Sequence, residues 1–338
     1  RVKILSKLRL DEHRIPQDGR FKIEMKDMRI DLRVSIMPSI FGEKVVIRLL
    51  EETGKIMGLE DLGLRGVSLR RVQDALRLPN GIILVTGPTG SGKTYTLASS
   101  ISQINRVGVN IVTLEDPVEI RLPGVTQIQV NPAVGLTFAT GLRSVLRQDP
   151  DVMMVGEIRD TETAELAIHA ALTGHLVFAT LHTNSAAGAL PRLMDMEVEP
   201  YLLTSTVNVV ISQRLVRTIC KSCKKASPAP EEVAVEVEEA LGPLFKGAGR
   251  LKNGKVLLYK GEGCVDCDGS GYKGRIGIFE ALAASDTISR LVLEHQPTQA
   301  IEEQAVKEGM VTLLQDGFLK VLEGVTTVEE VLRVTREE

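Results

Sequence analysis

Tryptophan is missing from the 338 residues, and aromatic side chains of every kind make up only 3% of them. Few stacking platforms for single-stranded nucleic acid are therefore on offer. Positive charge is not in excess either. Lys and Arg number 41 against 44 Asp and Glu, a net −3, so no global basic field draws nucleic acid or an anionic membrane. Long apolar runs are lacking: VNVVI and GIILV fall far short of the roughly 20 residues a membrane-crossing helix needs. No secretory leader is recognisable. Cysteine is scarce, with four residues in two tight pairs, which points to a metal rather than disulfides. The expectation is a soluble intracellular protein of two or three domains. The sequence starts at Arg1 amid what reads as folded chain, so a missing amino-terminal segment is expected.

What is present is strongly patterned. Residues 21–50 alternate apolar and polar at period two, with Pro38 and Gly42 read as turns between antiparallel strands. EETGKIMG (51–58) reads as a linker. From 81 to about 182, short apolar runs (IILVT, NIVTLE, VMMVGE, LVFATLH) alternate with helical windows (GKTYTLASSISQI, TFATGLRSVLRQ, TETAELAIHAALTG). That alternation predicts an α/β fold, a parallel sheet with helices on both faces. Residues 217–275 hold the cysteines and an acidic stretch, EEVAVEVEEALG. Consecutive helices are expected after that.

GPTGSGKT matches G-x-x-x-x-G-K-[ST] in full. Gly87, Pro88, Thr89, Gly90, Ser91 and Gly92 form the loop, and Lys93, Thr94 and Tyr95 open the helix behind it. Glycines let backbone N–H groups curl around phosphates, and the helix N-terminus adds partial positive charge. Lys93 can reach the β/γ oxygens of ATP, and the Thr94 hydroxyl can ligate Mg²⁺.

Phosphoryl transfer also needs an aligned water and stabilised charge, so acids are sought at the ends of neighbouring strands. Glu157 follows the VMMV run, with Gly156 where most such motors carry a metal-binding Asp. Glu157 is then the polariser of the water, an indirect metal ligand, or both. Glu115, Asp116 and Glu119 end a second strand, and Glu115 is the candidate for Mg²⁺ or its waters. His175 and His182 flank one apolar strand, separated by roughly 23 Å if it is fully extended. His182, at the carboxyl end, is the candidate γ-phosphate sensor. His175 is either structural or faces a subunit boundary.

Arg33 and Arg48 lie in the amino-terminal strands. Arg143 and Arg147 are four apart and are read as sharing one helix face. Such arginines are either solvated or complete a phosphoryl-transfer site. Cys220, Cys223, Cys264 and Cys267 form two C-x-x-C knuckles that suit one closed, structural Zn²⁺.

RIPQDGR, RVSIMPSIFGEKVVIRLL, GPTGSGKT, TLEDPVE, LRQDPDVMMVGEIRDTETA, GHLVFATLHTN, the tetracysteine set and GRIGIFE stand in the order of the secretion ATPase superfamily, which the chain resembles throughout. The resemblance implies a RecA-like P-loop ATPase core with a zinc-binding insertion and C-terminal helices, preceded by a partial PAS-like α+β domain. The implied boundaries are 1–55 for the partial domain, 56–62 for a linker and 63–338 for the ATPase. Within the ATPase, 217–275 is the zinc region and 276–338 the helical part. It further implies ATP, Mg²⁺ and Zn²⁺, a homohexamer, an inner-membrane platform protein as partner with no nucleic acid, and a cytoplasmic protein peripheral to that membrane. Arg33, Arg48, Arg143 and Arg147 would serve nucleotide contact or inter-domain coupling. The tetracysteine set favours secretion and pilus extension over retraction. A scaffold with little turnover and a DNA-translocating motor are the alternatives. The first is weakened by the presence of Glu157, the second by the acidic charge balance.

Overall fold

Period-two alternation makes the first unit a three-stranded antiparallel meander. The computed structural model describes residues 1–25, 28–51, 56–245, 251–252 and 255–336. The chain divides into Arg1–Ile56 and Met57–Glu338. Residues 52–55 of the expected linker lie outside the described residues, and Leu59, farther along, is fully buried in the second unit. In the first unit α1 (Val2–Leu5) is a single turn, followed by β1 (Gln17–Met25), β2 (Met28–Ser39) and β3 (Gly42–Glu51) in that order across the sheet. Leu32, Val34 and Ile36 bury one face of β2.

The turn is not where Pro38 suggested. Pro38 pairs with Glu43 inside the β2–β3 ladder, and Ile40 and Phe41 make the hairpin loop between the paired Ser39 and Gly42. Proline is tolerated there because pairing with β1 stops at Ile36, so this end of β2 has a neighbour on one side only.

In the second unit α2 (Gly66–Leu76) precedes β4 (Gly81–Thr86), α3 (Lys93–Ile104), β5 (Ile111–Glu115), β6 (Thr126–Gln129), α4 (Phe138–Val145), β7 (Val152–Val155), α5 (Thr161–Leu172) and β8 (Leu176–Leu181). Then come α6 (Ala189–Asp195), α7 (Pro200–Thr206), β9 (Val207–Ile219), β10 (Lys224–Pro228), α8 (Glu231–Leu241), β11 (Leu251–Lys252), β12 (Lys255–Gly261) and β13 (Tyr272–Ala283). The helices α9 (Asp286–Leu293), α10 (Thr298–Lys307), α11 (Leu313–Leu322) and α12 (Val328–Thr335) close the chain.

Seven strands form one sheet in the order β13-β9-β4-β8-β7-β5-β6. It is parallel from β9 to β6, and β13 is antiparallel to β9. Every residue of β4, β5, β7 and β8 is buried, because helices cover both faces of a parallel sheet and leave no wet side to alternate toward. Ala164, Ala167 and Ala171 of α5 join Leu84, Val155 and Val177 in the main core. Each fully buried aliphatic side chain contributes about 1.5–3 kcal/mol.

The segment between the cysteine pairs is not a loose acidic insert. Val237 and Leu241 of α8 and Val256 of β12 share a smaller core with Phe318, Val321, Val328 and Val331 of the last two helices. No helix among the described residues is long and apolar enough to cross a membrane.

Candidate active site and metal centre

The strand order places four chain segments side by side at the carboxyl edge of the sheet. β4 runs into the glycine loop, β8 into His182, β7 into Gly156 and Glu157, and β5 ends at Glu115. Ligands of open α/β sheets bind beyond this edge.

Gly87 has φ +141° and Gly92, the residue capping α3, has φ +91°. A side chain at Gly87 would also strike the Gln213 carbonyl oxygen at 2.6 Å. The loop is held from β9: Gln213 Nε2 donates to the Ser91 carbonyl at 2.7 Å. Pro88, Thr89 and Gly90 form the exposed tip, while Lys93 and Thr94 are half-buried and Tyr95 is exposed. Lys93 Nζ donates to the Gly87 and Pro88 carbonyls at 2.8 and 3.1 Å. Burial lowers its pKa, the Glu157 carboxylate opposes that, and Arg214 adds to it.

Glu157 lies between two basic groups. Its Oε1 takes Arg159 Nη2 at 2.6 Å, and its Oε2 is 3.6 Å from His182 Nε2. Its side chain is only 13% exposed. Burial, with the nearby charges of Lys93 and Arg159, pushes the His182 pKa down against the pull of Glu157. That shift favours the neutral imidazole, which can donate one hydrogen bond. His175 is at the far end of β8, where its Nδ1 lies 2.9 Å from the Ala170 carbonyl.

Glu115 is buried. Thr113 Oγ1 and Gln127 Nε2 both donate to its Oε1, at 2.7 and 2.9 Å. Burial raises its pKa, and these donors pull it back. Gly156 explains its own identity: a Cβ there would lie 3.1 Å from the Leu114 carbonyl oxygen and 3.3 Å from the Glu115 Cα. A side chain at the usual Asp position would press on the strand that carries Glu115. The oxygen donors Thr94, Glu115 and Glu157 are of the hard type that suits Mg²⁺.

The arginines divide. Arg33 and Arg48 are direct cross-strand partners, and Arg20 faces Arg33 from β1, so three arginines form one row across the first unit's sheet. Arg143 is ion-paired with Glu162. Arg147 is not on the helix with Arg143. α4 ends at Val145, and Arg147 folds back to donate to the Arg143 carbonyl at 2.9 Å. Farther along, Asp149 takes φ +49° just before Pro150, which disfavours helix at that residue.

Sequence reasoning passed over Arg159, Arg214, Gln213, Gln127 and Arg20. Arg159 alone carried a local signal, a base two residues after the acid. The others meet partners far away in the sequence, brought near by the order of the strands.

The four cysteines converge at the ends of β9 and β13. Sγ–Sγ separations are 3.8 Å (Cys220–Cys264), 3.9 Å (Cys223–Cys267) and 3.7 Å (Cys264–Cys267), with all four sulfurs within 4.8 Å of one another. A tetrahedron with metal–sulfur bonds of about 2.3 Å has edges of about 3.8 Å, so the set fits. The Cys264 and Gly271 N–H groups donate to Cys267 Sγ at 3.2 and 3.3 Å. Burial pushes the Cys267 thiol up, yet those donors hold it down to about 6. The knuckles meet through the strands beside them: Lys224 pairs with Gly261 and Tyr272 with Ile219, and the Cys220 N–H donates to the Gly271 carbonyl at 2.9 Å. Gly261 and Gly271 flank the second knuckle and touch backbone to backbone, which closes its loop.

The family described as type II/IV secretion system protein matches residues 1–333. The type II secretion system protein E of Dickeya dadantii is 48% identical over 338 residues, covering 100% of this chain and 65% of its own. The type IV pilus assembly ATPase PilB of Pseudomonas aeruginosa is 46% identical, covering 100% and 58%. This chain thus spans about two thirds or less of the relatives it matches. The crystal structure of the pilus retraction motor PilT with bound ADP aligns with a TM-score of 0.65, with 28% identity over 96% of this chain and 78% of its own. The chain belongs to the type II/IV secretion system protein family.

Proposed function

We propose that this chain is the motor part of an ATPase that works as a homohexamer. It hydrolyses ATP to ADP and phosphate to drive type IV pilus assembly or type II secretion through an inner-membrane platform protein, from the cytoplasmic side. The observation that carries this reading is the row of Lys93, His182, Glu157 and Glu115 at one sheet edge. The glycine loop and Lys93 bind the phosphates, and His182 donates to the γ-phosphate. Glu157, oriented by Arg159, accepts the proton of the attacking water as the bond to ADP breaks. Thr94 and Glu115 would hold Mg²⁺, directly or through water, and the ion would neutralise phosphate charge. Arg33, Arg48, Arg143 and Arg147 supply further positive charge for the nucleotide or for coupling. Cys220, Cys223, Cys264 and Cys267 hold structural Zn²⁺. The two relative classes match at 48% and 46%, so the proposal spans both.

The test is equilibrium binding and turnover of ATP by the wild type and Glu157→Gln. Binding is expected to stay within about threefold while turnover falls at least ~100-fold. Turnover that persists in the variant would remove Glu157 from its role.

A further inference from the structure

Glu280, which ends the GRIGIFE stretch, lies on β13 opposite Ser212 of β9 and is buried. Its two carboxylate oxygens serve two different parts of the chain. Oε1 accepts the Ala186 N–H at 2.7 Å, and Oε2 accepts the Leu313 N–H at 3.1 Å. Ala186 is four residues past His182, in the loop between β8 and α6. Leu313 is the first residue of α11.

Both partners are anchored elsewhere as well. Arg214 Nη2 donates to the Asn184 carbonyl at 2.9 Å, holding the same loop from β9. The Phe279 N–H donates to Asp316 of α11 at 2.8 Å, docking that helix on the same strand. Thr312 and Gln315 complete a capping box around the α11 start. The helix N-terminus adds partial positive charge where Glu280 is buried.

The pairing requires a carboxylate. Each oxygen faces an N–H, so an amide of equal size would turn its NH₂ toward one of the two donors and lose that bond in either orientation. Burial raises the Glu280 pKa, and the N–H groups of Ala186 and Leu313 oppose that rise.

We propose that Glu280 is a positioning residue for ATP hydrolysis: it fixes the loop that begins at His182 by bracing it on the first turn of α11. The proposal rests on the ATPase reading above. Through this brace, the γ-phosphate sensor and the carboxyl-terminal helices share one side chain.

The test compares the purified full chain with its Glu280→Gln variant. Turnover is measured together with affinities for ADP and for a non-hydrolysable ATP analogue. The variant is expected to lose about 10- to 100-fold in kcat, as for a misplaced catalytic group. Its preference for the analogue over ADP should fall about fivefold or more, the equivalent of one lost hydrogen bond, with ADP affinity within about twofold. Unchanged turnover and preference in the folded variant overturn the proposal. So does an equal loss of both nucleotides, which would assign Glu280 to general stability. A wild type that neither binds nor hydrolyses ATP removes the ATPase reading itself, and this one with it.

If Glu280→Gln fails to fold, hydrogen exchange on the wild type decides. Adding the analogue should slow exchange in 183–188 and in 311–316 together. A response in the first alone overturns the brace.

Discussion

Glu330 shows how much one buried carboxylate can organise. It accepts the Arg217 N–H at 2.9 Å, Arg217 Nη2 at 2.7 Å, and Arg333 Nε and Nη2 at 2.9 Å each. Burial pushes its pKa up, but the hydrogen bonds from Arg333 and Arg217 win and hold it at about 2, against an ordinary 4.5. A depressed carboxylate stabilises the fold above its unfolded pKa and loses that contribution as pH falls through its folded one. The window is therefore pH 4.5 down to about 2. Glu330→Gln is expected to cost about 2 kcal/mol at pH 7, below the roughly 3–5 of a fully buried pair, because both arginines are about half exposed. Unfolding of both proteins at pH 7, 4 and 2.5 checks this: the gap should close toward the lowest pH. An equal gap at every pH would mean the charge is not what stabilises. Nothing in the sequence announced this residue, since its partners lie 113 positions away on β9 and one turn along α12.

At the scale of elements, legibility followed burial. β4, β5, β7 and β8 were readable as short apolar runs because both faces are covered, and the windows for α3, α4 and α5 were readable because each begins after a strand. The glycine loop, Glu157 and His182 were legible for the same reason: each closes such a run. The antiparallel β13 and its pairing with β9 were not, because their residues mix buried and exposed positions and overrun the sheet edge. Pro38 was misread as a turn because its lack of a partner on one side depends on where β1 stops. The support given to Glu115 by Gln127 depends on the β5–β6 pairing, which no local pattern encodes.

The cysteine knuckles are legible as spacing, while their convergence depends on the β10–β12 and β9–β13 pairings. One zinc per chain is expected by elemental analysis. Cys267→Ser should lose it and lower Tm by several degrees while nucleotide affinity stays within about threefold, since a structural metal stabilises its own segment. Full metal content in the variant would point to a different ligand set.

For the whole molecule, the proposed function calls for several copies of the chain acting together. A site whose positive charge comes partly from a neighbouring copy would be weak in the isolated chain and strong in a ring. A site completed in a ring makes the ATPase rate per chain depend on protein concentration, measured for wild type and Glu157→Gln with mass by light scattering. The rate should climb as hexamers form and vanish in the variant. A rate independent of assembly and indifferent to Glu157 would contradict the ring-completed site, and a nucleotide-gated scaffold would then describe the protein better.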